Sequence, residues 1–390
     1  MKAIVVYYSG AGSTRKIAKA IHRGMKTVIG DCEIAPIKEV NPQDMTKYDL
    51  IGIGGPIYWF RETANVRLFI YKMPKMEGKL CFPFCSHGSA PSGFMFSIGW
   101  ALRQKGLQII GWKDWYGSVY NSIGQPKPYF TDGHPDAIDL KDAEEFGRQM
   151  AQRAQGITSG ETNLIPEIPK GPEADALWRP GGMAQRRPST EGQGGQRPAP
   201  QPPRTINMKK CTHPECTVCL DNCIFHSIDF SKDPPDFRDN CINCNLCNRM
   251  CPVGAIEIDE RTKRYQVQKV INTEKCKHPE CTICIDHCPM DAIDFSVNPP
   301  AYKWSCEQCD LCWVICPQGA IEIANLDTTL DRGRRILGVG HDHPFLKILE
   351  DAEAKGRFRR LTPLDKIGWD TPIYQIKRTP RFSIEELEKD

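Results

Sequence analysis

The sequence predicts a doubly wound α/β domain at the N-terminus, followed by two tandem copies of a small α+β module rich in cysteine. Two observations carry this expectation. Over residues 1–155, apolar runs rich in β-branched residues alternate with amphipathic stretches of helical period, as in a parallel sheet with crossover helices. Over residues 209–325, sixteen of the nineteen cysteines fall into four quartets, and the arrangement repeats at an offset of 65 residues.

The N-terminal elements follow in order. KAIVVYYSGAGSTRKIAKAIHRGM reads as a strand, a glycine turn and a helix with Ile17, Ala18, Ile21 and Met25 on one face. A glycine-rich turn between strand and helix presents backbone N–H groups and a positive dipole end to an anion, most naturally a phosphate. Here the turn is Ser9, Gly10, Ala11, Gly12, Ser13 and Thr14. It has neither the lysine of a nucleoside-triphosphate loop nor the dinucleotide G-x-G-x-x-G pattern. A buried strand from Asp49 to Gly55 runs into Pro56, Ile57, Tyr58, Trp59 and Phe60, and then a helix. A further strand, Leu80 to Cys85, leads into Ser86, His87, Gly88 and on to Gly93 and Phe94. A helix over 94–105, a strand over 107–112 and an amphipathic helix over 139–154 complete the pattern. In such sheets the ligand lies at the loops that follow the strand C-termini.

The first quartet is Cys211, Cys216, Cys219 and Cys223, and the second is Cys241, Cys244, Cys247 and Cys251. The third is Cys276, Cys281, Cys284 and Cys288, and the fourth is Cys306, Cys309, Cys312 and Cys316. Thiolates at C-x2-C-x2-C wrap a loop around one face of a cubane and aim its N–H groups at the sulfides, which points to iron–sulfur chemistry. Structural zinc prefers paired knuckles separated by longer loops, and disulfides need an oxidising compartment, for which no secretory segment speaks. Short alternating segments at 227–230, 255–259, 292–295 and 320–323 read as strands. The first and third quartets open with C-x4-C (CTHPEC and CKHPEC), an insertion in which His213 and His278 are expected to pack the loop. Ile224 stands where the other quartets are followed by proline.

Residues 1–155 resemble flavodoxin. The family's phosphate loop, [ST]-x-T-G-x-[ST], is matched by Ser9, Ala11, Gly12 and Thr14, with alanine in place of the central threonine. The resemblance implies FMN, with its phosphate at Ser9–Thr14 and its ring between an aromatic loop (Pro56, Ile57, Tyr58, Trp59) and a second loop (Ser86, His87, Gly88, Gly93). Residues 209–325 resemble two tandem bacterial-type dicluster ferredoxins. There the fourth cysteine of each quartet serves the other cluster of its pair. This implies four [4Fe–4S] clusters, held by Cys211, Cys216, Cys219 and Cys251; by Cys223, Cys241, Cys244 and Cys247; by Cys276, Cys281, Cys284 and Cys316; and by Cys288, Cys306, Cys309 and Cys312. The whole chain resembles the flavodoxin–ferredoxin fusions, or iron–sulfur flavodoxins, of anaerobic bacteria and archaea.

The expected domain limits are 1–155, a linker over 156–208, ferredoxin modules over 209–260 and 261–325, and an extension over 326–390. The linker is dense in Pro, Gly, Gln, Arg and Ser and is expected to be extended, tethering the flavin domain while it seeks the clusters. The extension holds one expected helix, near 343–355. Charge divides along the same lines: 20 Lys and Arg against 14 Asp and Glu over 1–155, but 12 against 17 over 209–325. These complementary fields favour docking within the chain, and the overall charge of +3 is no argument for nucleic acid. No apolar run reaches the ~18 residues of a membrane span, so a cytoplasmic, low-oxygen setting without direct membrane insertion is expected.

The expected function is electron transfer between FMN and the clusters, coupling a two-electron donor or acceptor to one-electron partners in anaerobic metabolism. The expected partners are redox proteins, either oxidoreductases or ferredoxin-dependent enzymes. Two alternatives stay open: an FMN-dependent oxidoreductase acting on a small organic substrate, and the electron-input subunit of a larger reductase complex.

Overall fold

In the computed structural model, residues 1–369 are described, apart from 11, 60, 120–125, 127, 169–203, 239, 264–265, 338–339 and 341–342. Most of the expected linker, and the end of the extension from 370 onward, lie outside the described residues.

The N-terminal elements are β1 (Ala3–Tyr7), α1 (Ser13–Lys26), β2 (Cys32–Pro36), β3 (Leu50–Tyr58) and β4 (Arg61–Glu62). There follow α2 (Ala64–Lys72), β5 (Leu80–His87), α3 (Phe94–Gln104), β6 (Gln108–Ile109), β7 (Lys113–Tyr116) and α4 (Ala137–Thr158). The sheet order is β2-β1-β3-β5-β6, with β7 continuing the edge beside β5 and β4 folded back on β3. All pairings are parallel except β3 with β4. This is the flavodoxin-like doubly wound order, whose strand order reverses between β1 and β3 and opens a crevice there. Of the expected strand over 107–112 only β6 forms, and the chain then crosses from Leu80 and Cys81 to the far end of β5, where β7 pairs.

Each sheet face carries a core. One packs Val5, Phe82 and Phe84 against Ile17 and Ile21 of α1 and Phe146 and Met150 of α4. The last helix is well started: Asp136 caps it, and Asp139 returns the bond in a capping box. The opposite face packs Ile51 and Ile53 against Val66 and Phe69 of α2 and Ile98 and Leu102 of α3, and it continues into Cys309, Leu311 and Ile315 of the cysteine-rich half.

The cysteine-rich half closes as two units. Arg204–Ile206 pairs antiparallel with Ile256–Ile258, and Ile228–Asp229 pairs with Asp236–Phe237. The second unit repeats this with Lys269–Ile271 on Ile321–Ile323 and Ile293–Asp294 on Ala301–Tyr302. Each expected strand after a quartet contains an observed one. Their partner strands are two or three residues long and carry too little periodicity to be read in advance. The strand Arg204–Ile206 falls within the stretch expected as linker, and Ile206 is 7 % exposed beside Ile228, Phe237 and Ile256. In both C-x4-C insertions the histidine stacks on a phenylalanine: His213 on Phe230 and His278 on Phe295, each with ring centroids 4.0 Å apart.

The extension returns to the N-terminal domain. A helix at Leu326–Leu337 precedes the expected one, which spans Pro344–Ala354. Leu346, Leu349, Phe358 and Ile367 then pack on Tyr129 and Phe130. Arg359 binds both carboxylate oxygens of Asp136 at 2.7 Å, and His134 Nε2 lies 2.8 Å from the Arg359 carbonyl. His343, 2 % exposed, caps the second helix by accepting a bond from the Phe345 N–H at Nδ1. Burial holds its pKa down at about 4.

The docked imidazole must therefore be neutral, whereas a released one binds a proton below about pH 6.5. Docking of the extension is expected to be fully present above that value and to weaken by about tenfold per pH unit as pH falls from 6.5 toward 4. Hydrogen exchange of the 344–354 amides at pH 7.5 and 5.5, corrected for intrinsic rates, reads this directly. Equal protection at both would contradict it.

Candidate functional site

The crevice at the strand C-termini is lined by Ser9, Gly10, Ser13, Thr14, Pro56, Ile57, Tyr58, Ser86, His87 and Gly88. Gly117, Ser118 and Val119 complete the lining. These last three escaped the sequence reading, because β7 was not recognised and the loop after it had no strand to mark it.

Gly12 caps α1 with φ +89°, a left-handed conformation open to glycine, and its N–H donates to Ser9 Oγ at 3.1 Å. Thr14 Oγ1 and Ser86 Oγ lie 2.7 Å apart, tying the first loop to the third. Ala11 and Phe60 lie outside the described residues. Gly93 sits at the N-terminus of α3 and is absent from the crevice lining. His87 is 5 % exposed; its Nε2 lies 2.9 Å from Asp114 Oδ2, while its buried Nδ1 has no protein partner. That interaction, with Lys113 and Arg357 adding positive charge, holds the Asp114 carboxyl below its ordinary pKa despite the burial that opposes it.

The aromatic loop does something the sequence did not foretell. Tyr58 is 6 % exposed at the crevice, but Trp59, with φ +53°, turns away, and its Nε1 donates to the Glu307 carbonyl at 3.0 Å. Arg61 then enters the cysteine-rich half. It is fully buried, with Nη1 3.0 Å from Glu307 Oε1 and Nε 3.1 Å from the Cys244 carbonyl. Arg67, also fully buried, is held by Glu62 and Ser97 and reaches the Asn222 carbonyl at 3.3 Å. Tyr71 donates to Asp221 at 3.1 Å. Where a loosely tethered search was expected, these contacts pack the two halves together. Arg61 and Arg67 carry no pattern in sequence that separates them from solvated surface charges.

The sixteen thiols gather in four groups. Cys211, Cys216, Cys219 and Cys251 line one small cleft, and Cys276, Cys281, Cys284 and Cys316 line another. Cys223, Cys241 and Cys244 are electrostatic neighbours of Cys247, and Cys306 is a neighbour of Cys288, Cys309 and Cys312. Among the described residues, no three His, Cys, Asp or Glu side chains are disposed to hold a single metal ion; the thiols ring clefts instead.

At the fourth cysteine of every quartet a backbone N–H four residues on donates to the sulfur: Ser227 to Cys223, Ala255 to Cys251, Ala292 to Cys288 and Ala320 to Cys316, at 3.2–3.3 Å. Such donors favour thiolate. Burial, with neighbouring thiols adding to it, pushes the Cys219 thiol up to about 12, and burial does the same to Cys312 against the opposing charge of Lys269, so their thiolate forms need a cationic centre beside them. Asn243, Asn245, Gln308 and Asp310 adopt left-handed φ of 56–59°, curling the second and fourth cysteine loops. Arg61 Nη2, buried between the halves, and Arg249 Nε, buried where the two cysteine modules meet, lack protein acceptors. Unmet donors and thiol groups of this kind fit a sulfide-bearing cluster.

The family comparisons agree with this geometry. Residues 4–91 match the family model described as a flavodoxin domain, and residues 240–292 match that of a 4Fe-4S dicluster domain. An uncharacterised protein of Methanocaldococcus jannaschii is 30 % identical over 155 residues, covering 38 % of this chain and 98 % of the relative. The flavodoxin of Megasphaera elsdenii is 28 % identical over 110 residues, which is 27 % of this chain and 80 % of the relative. The ferredoxin of Methanothermococcus thermolithotrophicus is 34 % identical over 55 residues, 14 % of this chain and 92 % of the relative. The chain belongs to the flavodoxin–ferredoxin fusions.

The fusion's cofactors are accordingly FMN and [4Fe–4S] clusters, and its domains support an electron-transfer role toward redox partners. No described helix of the fusion is long and apolar enough to cross a membrane. Its dicluster match, 240–292, straddles the two structural units, running from the second quartet of one to the third quartet of the other.

Proposed function

We propose that the fusion couples a two-electron donor or acceptor, met at the flavin crevice, to one-electron redox proteins met at the cysteine modules, in the cytoplasm of an anaerobic cell. FMN exchanges one or two electrons and each cluster exchanges one, which makes that conversion available. Ser9, Gly10, Ala11, Gly12, Ser13 and Thr14 hold the FMN phosphate through backbone N–H groups. Ile57, Tyr58, Ser86, His87 and Gly88 flank its ring. The cysteines ligate in the crossed sets given by the ferredoxin resemblance, which agree with the four thiol groups, and the domains divide near 165, 204, 269 and 326.

The reading is supported above all by the double service of one segment. Pro56, Ile57 and Tyr58 line the flavin crevice, and Trp59 and Arg61 of the same segment bind the cysteine-rich half. Tyr8 lies behind Tyr58, fully buried, its phenol pushed well above the ordinary range by burial, with Tyr58, Cys309 and Cys288 as neighbours. A thiol group that includes Cys288 and Cys309 thus neighbours the residues behind the flavin crevice. A buried contact of this kind suits electron exchange, and the packed interface keeps it without a docking search.

A substitution tests the division of labour. Gly12→Val forces a β-branched residue into a left-handed position. Flavin retention is expected to be lost while about 16 irons per chain, four per site, remain. Loss of both together, or of neither, would overturn the reading. A second reading, direct turnover of a small organic substrate, is favoured by a largely apolar cavity of about 130 Å³ lined by Phe94, Met95, Trp112 and Asp114, the last being His87's partner.

A further inference from the structure

The two cysteine modules carry the same buried cation over an aromatic ring at the 65-residue offset, but the residue that meets the cation differs in charge. In the first, Arg204 is 6 % exposed, with Nη1 3.4 Å from Cys241 Sγ and Nη2 2.8 Å from Asn245 Oδ1; its guanidinium lies over Phe237. In the second, Lys269 lies over Tyr302, and its Nζ stands 2.7 Å from Asp310 Oδ1, with both side chains almost fully buried. Asparagine at 245 has thus become aspartate at 310. Arg204 meets no carboxylate at ion-pair distance among the described residues, whereas Lys269 is neutralised by one.

Other charges face these groups. Arg61 spans the seam, bonded to the Cys244 carbonyl and to Glu307, and so acts on both. Arg249 adds a cation toward Cys306 and Cys309, and Glu307 offsets it from the same side. Asp291 adds an anion near Cys288. The excess positive charge therefore belongs to the first module.

Reduction adds one negative charge to a cluster site. In a buried, weakly screened setting an unpaired cation in contact with a ligand sulfur stabilises that added charge, and a paired cation does so far less. We propose that the site of Cys223, Cys241, Cys244 and Cys247 is the more readily reduced of the two sites facing the flavin domain, because Arg204 stands beside it without the carboxylate that Asp310 supplies to Lys269. An electron on this pair of sites leaves the second-module site, which is oxidised, and enters the first-module site, which is reduced, with no proton moved. The flavin-proximal site is then a relay, and the first module is where charge collects. The inference rests on the ligand sets proposed above.

The test is an anaerobic potentiometric titration of the full chain followed by electron paramagnetic resonance. Cys247→Ser and Cys312→Ser each identify one signal by its loss, together with about four irons. Full retention of iron in both would sink the ligand sets rather than the charge argument. With signals assigned, Asn245→Asp is expected to lower the reduced-to-oxidised ratio of the first-module site at least tenfold at a fixed potential (~59 mV for a one-electron couple). Arg204→Gln lowers it in the same sense without adding a carboxylate. Asp310→Asn raises the ratio at the second-module site. Iron content stays unchanged in all three. Ratios that do not move, or that move oppositely, overturn the proposal.

Discussion

Replacing Arg61 by alanine is expected to uncouple the two halves of the fusion at a cost of about 3–5 kcal/mol, because it strands a buried charge. Glu307 is 2 % exposed and its ion-pair partner is Arg61, both side chains being inaccessible to solvent. The same guanidinium also donates to the Cys244 and Glu62 carbonyls, which would be left without those bonds. Denaturant titration with limited proteolysis reads the stability. Stopped-flow reduction reads the coupling, as slower exchange between flavin and iron–sulfur absorbance. The double variant Arg61→Met, Glu307→Leu is expected to recover most of the stability, since a buried ion pair replaced by apolar groups of similar volume is often neutral. A single variant as stable and as fast as the parent would show that the interface does not depend on this pair.

The second large effect lies within the flavin domain, where α1 and α4 cross with their backbones in contact. A Cβ on Gly147 would stand 2.0 Å from the Ile21 carbonyl oxygen, and one on Gly24 would stand 1.8 Å from that of Glu144. Neither neighbour is a side chain that can swing aside. Gly147→Ala must push the helices apart and loosen the core of Ile17, Ile21, Phe146 and Met150. Overpacking of this severity is expected to cost about 3 kcal/mol. It should appear as earlier loss of flavin on heating, with iron retained. Gly30→Ala, where the added methyl meets nothing within 4 Å, is the control and should melt like the parent.

What was legible in advance had a local cause. The turn Ser9–Thr14, the strands ending at Tyr58 and His87, and the helix from Ala137 all announce themselves through periodicity, glycine or a cap within a few residues. Contacts made at long range did not. Trp59 was expected on the flavin by analogy with the family, and its bond to the Glu307 carbonyl had no sign in the sequence. Arg67 reads as one more cation on a helix until Glu62, Ser97 and Asn222 are seen to enclose it. Arg359 and Asp136 are separated by 223 residues, so no window of sequence joins them. Arg204, in a stretch that looks like linker, contributes the first strand of a module and a cation beside Cys241.

The chemistry of the cysteine-rich half was settled by the sequence alone, because ligand spacing is a local property and a loop of C-x2-C-x2-C can curl around little else. The partition of that half into 209–260 and 261–325 came only from the ferredoxin resemblance, since spacing alone does not decide it. Four quartets in a row permit two phases of pairing, and the family match across 240–292 follows one of them. The structure takes the other, since Arg204–Ile206 closes on Ile256–Ile258 and Lys269–Ile271 on Ile321–Ile323. Strand pairing and burial of Ile206 and Ile271 choose the phase, and both depend on which residues meet in space rather than on how they are spaced along the chain.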